Sequence, residues 1–178
     1  YRTGIPLALA ADIVRQFGAA LSEMHRLQVV HRDLKPPNIM FSVAEEEESM
    51  VRLRILDFGL ARLAGEEEET IRTGSLLVGT PAYMSPEQTN GGPIDPRSDI
   101  FSTATIMYEL LTGRRPIQID QPIITAEDYV AYLHSDAALP TFKATQLRPD
   151  LPEDVDEIFA LGLARQRHMR TATVEMFC

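Results

Sequence analysis

The chain has 178 residues, of which 44% are hydrophobic and 24% charged, enough for one folded unit with a sizeable core. Its formal net charge of −9 disfavours non-specific binding to nucleic acid or to an anionic membrane surface. The single cysteine, Cys178, excludes an internal disulfide bond and a cysteine-based metal site. The apolar stretches fall far short of the roughly 18 residues of a membrane-spanning helix. We therefore expect a soluble segment with no nucleic-acid or membrane contact, in a cytosolic setting or a cytosol-facing part of a larger protein.

The first third of the chain predicts one long helix followed by a hairpin. Apolar residues at steps of three and four predict an amphipathic helix over about 7–27, and a short extended run follows at 28–30. Segments 39–43 and 50–56 predict two paired strands, because the second alternates apolar residues with arginines. The acidic run 45–48 between them is expected to be a solvated hairpin tip, with a docking site for a basic partner as the alternative.

The remainder predicts mostly helix. Segment 60–79 has no helical or strand period and predicts a loop, which contains a second acidic run. Segment 96–113 is apolar on most faces, which predicts a nearly fully buried central helix ending at Gly113. Further helices are expected at about 125–134 and 152–166, with the first turn of another at 173–178. The expected fold class is mainly α with a small β-hairpin, in one unit spanning 1–178.

Three short strings carry the chemistry. Residues 31–38 read HRDLKPPN, which spaces a carboxylate, an ammonium and a carboxamide along one loop, and its two prolines stiffen that loop. Residues 57–59 read DFG, and residues 85–87 read SPE. Together they resemble the catalytic loop (31–38), the metal-binding motif and the end of the activation segment (57–87) of a protein kinase.

The resemblance covers nearly the whole chain and implies the helical C-terminal lobe of a protein kinase, without the sheet of the N-terminal lobe. The glycine-rich loop and the strand lysine that hold ATP phosphates in this family are not in the sequence. Because the chain also opens at Tyr1 in what resembles the middle of a domain, we expect a fragment that is inactive alone. Its expected partner is the N-lobe of the same chain.

The resemblance assigns roles to four polar residues. Asp33 is implied as the catalytic base that accepts or orients the proton of the substrate hydroxyl. Lys35 is implied to contact the γ-phosphate of ATP. Asn38 and Asp57 correspond to the two ligands of Mg²⁺, and both offer the hard oxygen atoms that this ion prefers.

Two further positions complete the implied site. Met40 corresponds to a residue that packs under the adenine ring of ATP. Thr80, in the string GTP at 79–81, corresponds to a threonine that bonds both Asp33 and Lys35 in serine/threonine kinases. The implied activity is transfer of the γ-phosphate of ATP to serine or threonine hydroxyls of protein substrates, in preference to tyrosine.

Several supporting residues also follow from the resemblance. His31 and Phe58 are expected to be packing residues rather than bases. Asp99 is expected to hydrogen-bond the backbone of the catalytic loop, and Glu87 is expected to pair with Arg170.

Arg32 beside the catalytic aspartate places the chain with kinases whose activation loop is ordered by a phosphate group. Thr70, Thr73 and Ser75 are the candidate phosphorylation sites, and the sequence does not choose among them.

The departures from the family pattern are mild. Ser85 replaces the usual alanine, and a glycine common early in the central helix is replaced within 103–104. No catalytic position is degraded. Two alternatives remain open: a kinase-like interaction module that binds partners through its glutamate runs and the helix from Thr125, and a small-molecule phosphotransferase with a related loop.

Overall fold

The computed structural model describes residues 5–44, 47–57, 62–63, 81–117, 126–136 and 139–178. This part of the chain is mainly helical, as the sequence predicted, and it contains two small antiparallel sheets, of which the sequence predicted one. The helices are α1 (Leu7–Arg26), α2 (Pro86–Asn90), α3 (Pro96–Thr112), α4 (Ala126–Leu133), α5 (Ala144–Leu147), α6 (Val155–Gly162) and α7 (Val174–Phe177). The strands are β1 (Val29–Val30), β2 (Ile39–Ala44), β3 (Glu47–Ile55) and β4 (Arg62–Leu63). No helix in these ranges is long and apolar enough to cross a membrane.

The predicted hairpin is confirmed, with Ile39 opposite Ile55 in the antiparallel register. Strand β3 begins earlier than predicted, at Glu47 within the acidic run. The hairpin is fastened to α1 by one amide side chain. Gln16 donates from Nε2 to the carbonyl of Val51 at 2.7 Å and accepts the N–H of Leu53 on Oε1 at 2.9 Å. These two hydrogen bonds fix the position of the hairpin relative to α1.

A second small sheet corrects the loop prediction for 60–79. Residues 62–63 form β4, which pairs antiparallel with β1. Two residues carry too little alternation to predict a strand, and this one exists because β1 offers it a partner.

The central helix α3 organises the core, as predicted. Asp95 caps its start by accepting the N–H of Arg97 at 2.8 Å, and Gly113 ends it in a left-handed conformation at φ 71°. Almost every side of α3 is buried, and the hydroxyls of Thr103 and Thr105 donate to carbonyls one turn earlier in the helix. These two buried hydroxyls are therefore satisfied within the helix.

One buried tyrosine joins α3 to the segment between α4 and α5. Tyr108 donates its hydroxyl to the carbonyl of Phe142 at 2.6 Å, and burial raises its pKa to about 12. Its ring meets that of Phe159 edge to face, with centroids 5.2 Å apart. Helix α6 is thereby packed against the central helix.

The predicted helix over 152–166 is shorter, spanning only α6. The chain leaves the helical path after Gly162 because the carbonyls of Ala164 and Arg165 turn to accept the guanidinium of Arg170, at 2.7 and 3.2 Å. The short helices α2 and α5 were not predicted, since four or five residues show no period. The turn expected at 173–178 is present as α7, capped by Thr173.

Candidate active site

The catalytic loop is attached to the start of α3 through one buried carboxylate. Asp99, 1% exposed, accepts the backbone N–H of His31 on Oδ2 and that of Arg32 on Oδ1, each at 2.9 Å. Asp99 therefore has the contact with the loop backbone that the resemblance implied. The loop is positioned by the most buried helix of the described fold.

Asp99 has another partner that the sequence did not indicate. His25, in the last turn of α1, places Nε2 at 2.9 Å from Oδ2 of Asp99. The two residues are 74 positions apart, and only the packing of α1 against α3 brings them together.

The ring of His31 is fully buried and occupied on both nitrogens. Its Nδ1 accepts the backbone N–H of Asp33 at 3.2 Å, and its Nε2 lies 3.1 Å from the carbonyl of Leu56, to which it donates. A backbone N–H cannot accept and a carbonyl cannot donate, so these partners fix one tautomer. His31 is thus a buried support for the loop, consistent with its prediction as a packing residue.

Two of the predicted site residues converge on the carboxylate of a third, Asp33. Lys35 places Nζ 2.8 Å from Oδ2 of Asp33. Asn38 donates from Nδ2 to the carbonyl oxygen of Asp33 at 2.8 Å and to its Oδ2 at 3.1 Å. The side chains of Lys35 and Asp33 remain 22% and 18% exposed. The carboxylate is therefore oriented by two donors and still reachable from solvent.

The predicted metal ligands lie at the same end of the hairpin. The N–H of Leu56 donates to the carbonyl of Asn38 at 2.8 Å, and the chain then turns at Asp57 with φ 61°. Both contacts of the Asn38 side chain use its amide nitrogen, which leaves Oδ1 as the oxygen it can offer to a cation. A carboxamide and a carboxylate oxygen suit Mg²⁺, so this pair fits the implied ion.

The structure describes some of the remaining predicted residues and not others. Met40 lies on β2 directly after the loop and is 42% exposed, so an apolar surface is present beside the metal ligands. Thr80 and Phe58 lie outside the described residues. So do the candidate phosphorylation sites Thr70, Thr73 and Ser75.

The predicted pair of Glu87 and Arg170 is present and bidentate. Arg170 donates from its two terminal nitrogens to Oε1 and Oε2 of Glu87 at 2.6 and 2.7 Å. Ser98 adds a third donor to the same carboxylate at 2.6 Å. Burial alone would raise the pKa of Glu87, but the hydrogen bonds and charge of Arg170 outweigh it, and the pKa is lowered. The pair fastens α2 to the segment after α6.

Helix α2 also contacts the catalytic loop, through a residue that was not predicted. Gln88 accepts the N–H of Ser85 on Oε1 at 3.0 Å, which makes the two residues a capping box. The Nε2 of Gln88 donates to the carbonyl of Arg32 at 2.5 Å. The spacing S-x-x-Q at 85–88 predicts the cap from sequence, but nothing in the sequence predicts the contact with Arg32.

Comparisons with known proteins agree with this geometry. The family model described as "Protein kinase domain" matches residues 2–177. The chain is 39% identical over 158 residues to the probable serine/threonine-protein kinase PknB of Bifidobacterium longum, covering 89% of this chain and 21% of that protein. It is 34% identical over 169 residues to the serine/threonine-protein kinase pkn3 of Myxococcus xanthus, covering 93% of this chain and 29% of that protein.

A solved structure shares the fold. The Cydia pomonella granulovirus kinase PK-1 superposes with a TM-score of 0.70 at 23% identity, covering 96% of this chain and 56% of that one. The chain spans less than a third of the length of the two bacterial relatives named above. From its family match and the assembled catalytic loop, the chain belongs to the protein kinase family.

Proposed function

We propose that this chain is the C-terminal lobe of a serine/threonine protein kinase, and that it transfers the γ-phosphate of ATP to protein substrates together with an N-lobe of the same protein. The observation that carries the proposal is the cluster of Lys35 and Asn38 around the Asp33 carboxylate. These groups meet the requirements of phosphoryl transfer, which needs an oriented nucleophile and positive charge at the transferred group.

Asp33 orients the substrate hydroxyl and accepts its proton. The two donors on its carboxylate hold one oxygen, Oδ2, so that the other can face an incoming hydroxyl. Lys35 contributes positive charge, which stabilises the negative charge of the phosphoryl group in transfer.

Asn38 and Asp57 would hold Mg²⁺, which would supply positive charge against the phosphates of bound ATP. Met40 provides an exposed apolar surface next to these ligands, suited to the flat face of adenine. Thr80 lies outside the described residues, and its assignment rests on the family resemblance, which implies a preference for serine and threonine over tyrosine. The protein acts on cytosolic substrates that carry these hydroxyls.

The test uses the full-length protein that contains this chain. Transfer from Mg·ATP is measured to matched peptides that differ only in serine, threonine or tyrosine at the acceptor position. We expect transfer to serine and threonine peptides and little to tyrosine. Asp57→Asn should lower transfer on the order of a hundredfold or more, because it removes a charged ligand of the metal.

The matched control is Asp150→Asn, which changes an exposed carboxylate paired with the nearby Arg148 and should leave transfer unchanged. Absence of both transfer and nucleotide binding in the wild-type protein would favour the interaction module instead. Transfer to small-molecule hydroxyls but not to peptides would favour the small-molecule phosphotransferase.

A further inference from the structure

The backbone at Arg32 is in an unusual conformation. Arg32 has φ 68°, in the left-handed region that side chains other than glycine rarely adopt. Such a conformation persists where surrounding groups fix the peptides on either side of it. At this position the next peptide leads directly into Asp33.

Both peptide groups that flank Arg32 are held by side chains. The N–H of Arg32 donates to Oδ1 of Asp99 at 2.9 Å. Its carbonyl accepts Nε2 of Gln88 at 2.5 Å. In the peptide between Arg32 and Asp33, the N–H end donates to Nδ1 of His31 at 3.2 Å. That peptide plane is therefore fixed at its N–H end by the loop and at its carbonyl end by α2.

The orientation of the Gln88 amide is unambiguous. Its Oε1 lies 3.0 Å from the backbone nitrogen of Ser85, which can only donate. Its nitrogen must then face the carbonyl of Arg32, which can only accept. One side chain thus connects the cap of α2 to the backbone that precedes the catalytic aspartate.

We propose that Gln88 is a positioning residue for phosphoryl transfer, acting through the carbonyl of Arg32 to set the direction of the Asp33 carboxylate. The inference rests on the proposed function. It assigns to α2, which begins at the end of the activation segment, a direct contact that fixes the geometry of the catalytic base. A small displacement of such a group has a large effect on rate.

The decisive variant is Gln88→Glu in the full-length protein. The substituted side chain has nearly the same shape and still accepts from Ser85, but when ionised it places an oxygen against the carbonyl of Arg32. We expect kcat at about pH 8 to fall on the order of tenfold to a hundredfold, with the KM for ATP changed by less than about twofold.

Protonation of the carboxylate in the Gln88→Glu variant restores the hydrogen-bond donor to the carbonyl of Arg32. The proposal therefore predicts a specific pH dependence for this variant. A protonated carboxyl donates to the carbonyl of Arg32, and partial burial against that carbonyl oxygen favours the protonated form. The ratio of variant to wild-type kcat should therefore rise by about threefold or more as the pH is lowered from about 8 to about 6. A role confined to capping α2, through Oε1 and the N–H of Ser85, would produce no such dependence, because the variant keeps that acceptor.

Two companion variants complete the design. Gln88→Met removes the hydrogen bonds without adding charge, so it should lower kcat by a factor that does not change with pH. Gln146→Glu is the matched control, because Gln146 caps α5 through the N–H of Lys143 at 3.1 Å in the same manner but lies in a different helix. It should leave kcat within about twofold of wild type.

The outcomes separate this inference from the proposed function. If wild-type protein does not transfer phosphate, the proposed function fails. If wild type is active, the inference is overturned by unchanged kcat in Gln88→Met, or by a loss in Gln88→Glu that is independent of pH. A rise in KM for ATP at unchanged kcat in either Gln88 variant would also overturn it.

Discussion

The side chain of Asn38 has two roles in the candidate site. Its amide nitrogen orients Asp33 through two hydrogen bonds, at 2.8 and 3.1 Å, and its amide oxygen is proposed as a metal ligand. A carboxamide serves both, whereas an ionised carboxylate offers no donor and a hydrocarbon offers neither atom. This explains why asparagine suits the end of the loop better than aspartate.

Asn38→Asp separates these two tasks. The substitution keeps an oxygen for the cation but places a second carboxylate about 3 Å from that of Asp33, where the two repel. We expect kcat for peptide phosphorylation to fall at least about tenfold while activity remains dependent on Mg²⁺. Asn90→Asp is the control, since the contact that Asn90 makes with the N–H of Gly92 needs only an oxygen. Wild-type kcat in Asn38→Asp would contradict the orienting role.

At the scale of elements, the site depends on contacts between segments distant in the chain. Asp99 connects α3 to the catalytic loop, and Arg170 connects the segment after α6 to α2. Arg170 also donates to the carbonyls of Arg97 and Ala164, and its guanidinium lies 5.0 Å from the ring centroid of Phe101. Its removal therefore affects several elements together.

Arg170→Ala should lower the free energy of unfolding by about 3–5 kcal/mol, because it leaves the buried carboxylate of Glu87 without its cation. Urea unfolding of the wild-type and variant proteins measures this difference. Arg15→Ala is the matched control, since Arg15 pairs with Asp12 on the exposed face of α1 and is 73% exposed. Equal stability of Arg170→Ala and wild type would show that the pair does not hold the fold together.

The sequence predicts elements that are long enough to show a period. Helices α1 and α3 extend over 20 and 17 residues, and their predicted bounds agree with the structure to within about one residue. Strand β4 and helices α2 and α5 were missed because their partners, rather than their own patterns, determine them. The loop from Ala164 was missed for a similar reason, since its carbonyls turn towards Arg170.

Within the candidate site, too, the sequence predicts contacts within one motif and misses contacts from other helices. The loop motif predicts that Asp33, Lys35 and Asn38 act together, and the structure brings all three into contact. His25 and Gln88 were not predicted, because each reaches the loop from a different helix. Ser85 was taken as a mild departure from the family pattern, and the structure shows that it caps α2 together with Gln88.

At the scale of the whole molecule, the lowered pKa of Glu87 connects stability to pH. A carboxyl whose pKa is lower in the folded than in the unfolded state stabilises the fold above its unfolded pKa, and that contribution is lost as pH falls through the folded pKa. We therefore expect the free energy of unfolding to decline below about pH 4.

Glu87→Gln tests this assignment. The variant should be less stable than wild type at neutral pH, because it loses the ion pair with Arg170. The difference between the two proteins should narrow as the pH falls from about 5 to about 3, since wild type then loses the same charge. Denaturant unfolding at each pH measures it, and a difference that stays constant over this range would contradict the linkage.

The measurement that tests the central claim most directly compares wild type with Asp33→Asn in the full-length protein. Phosphate transfer from Mg·ATP to serine and threonine peptides is measured alongside the affinity for Mg·ATP. Asparagine keeps an oxygen for Lys35 and Asn38 but cannot accept the proton, so kcat should fall on the order of 10²- to 10⁴-fold while nucleotide affinity changes by less than about threefold. Transfer at the wild-type rate by Asp33→Asn would show that this loop does not supply the catalytic base.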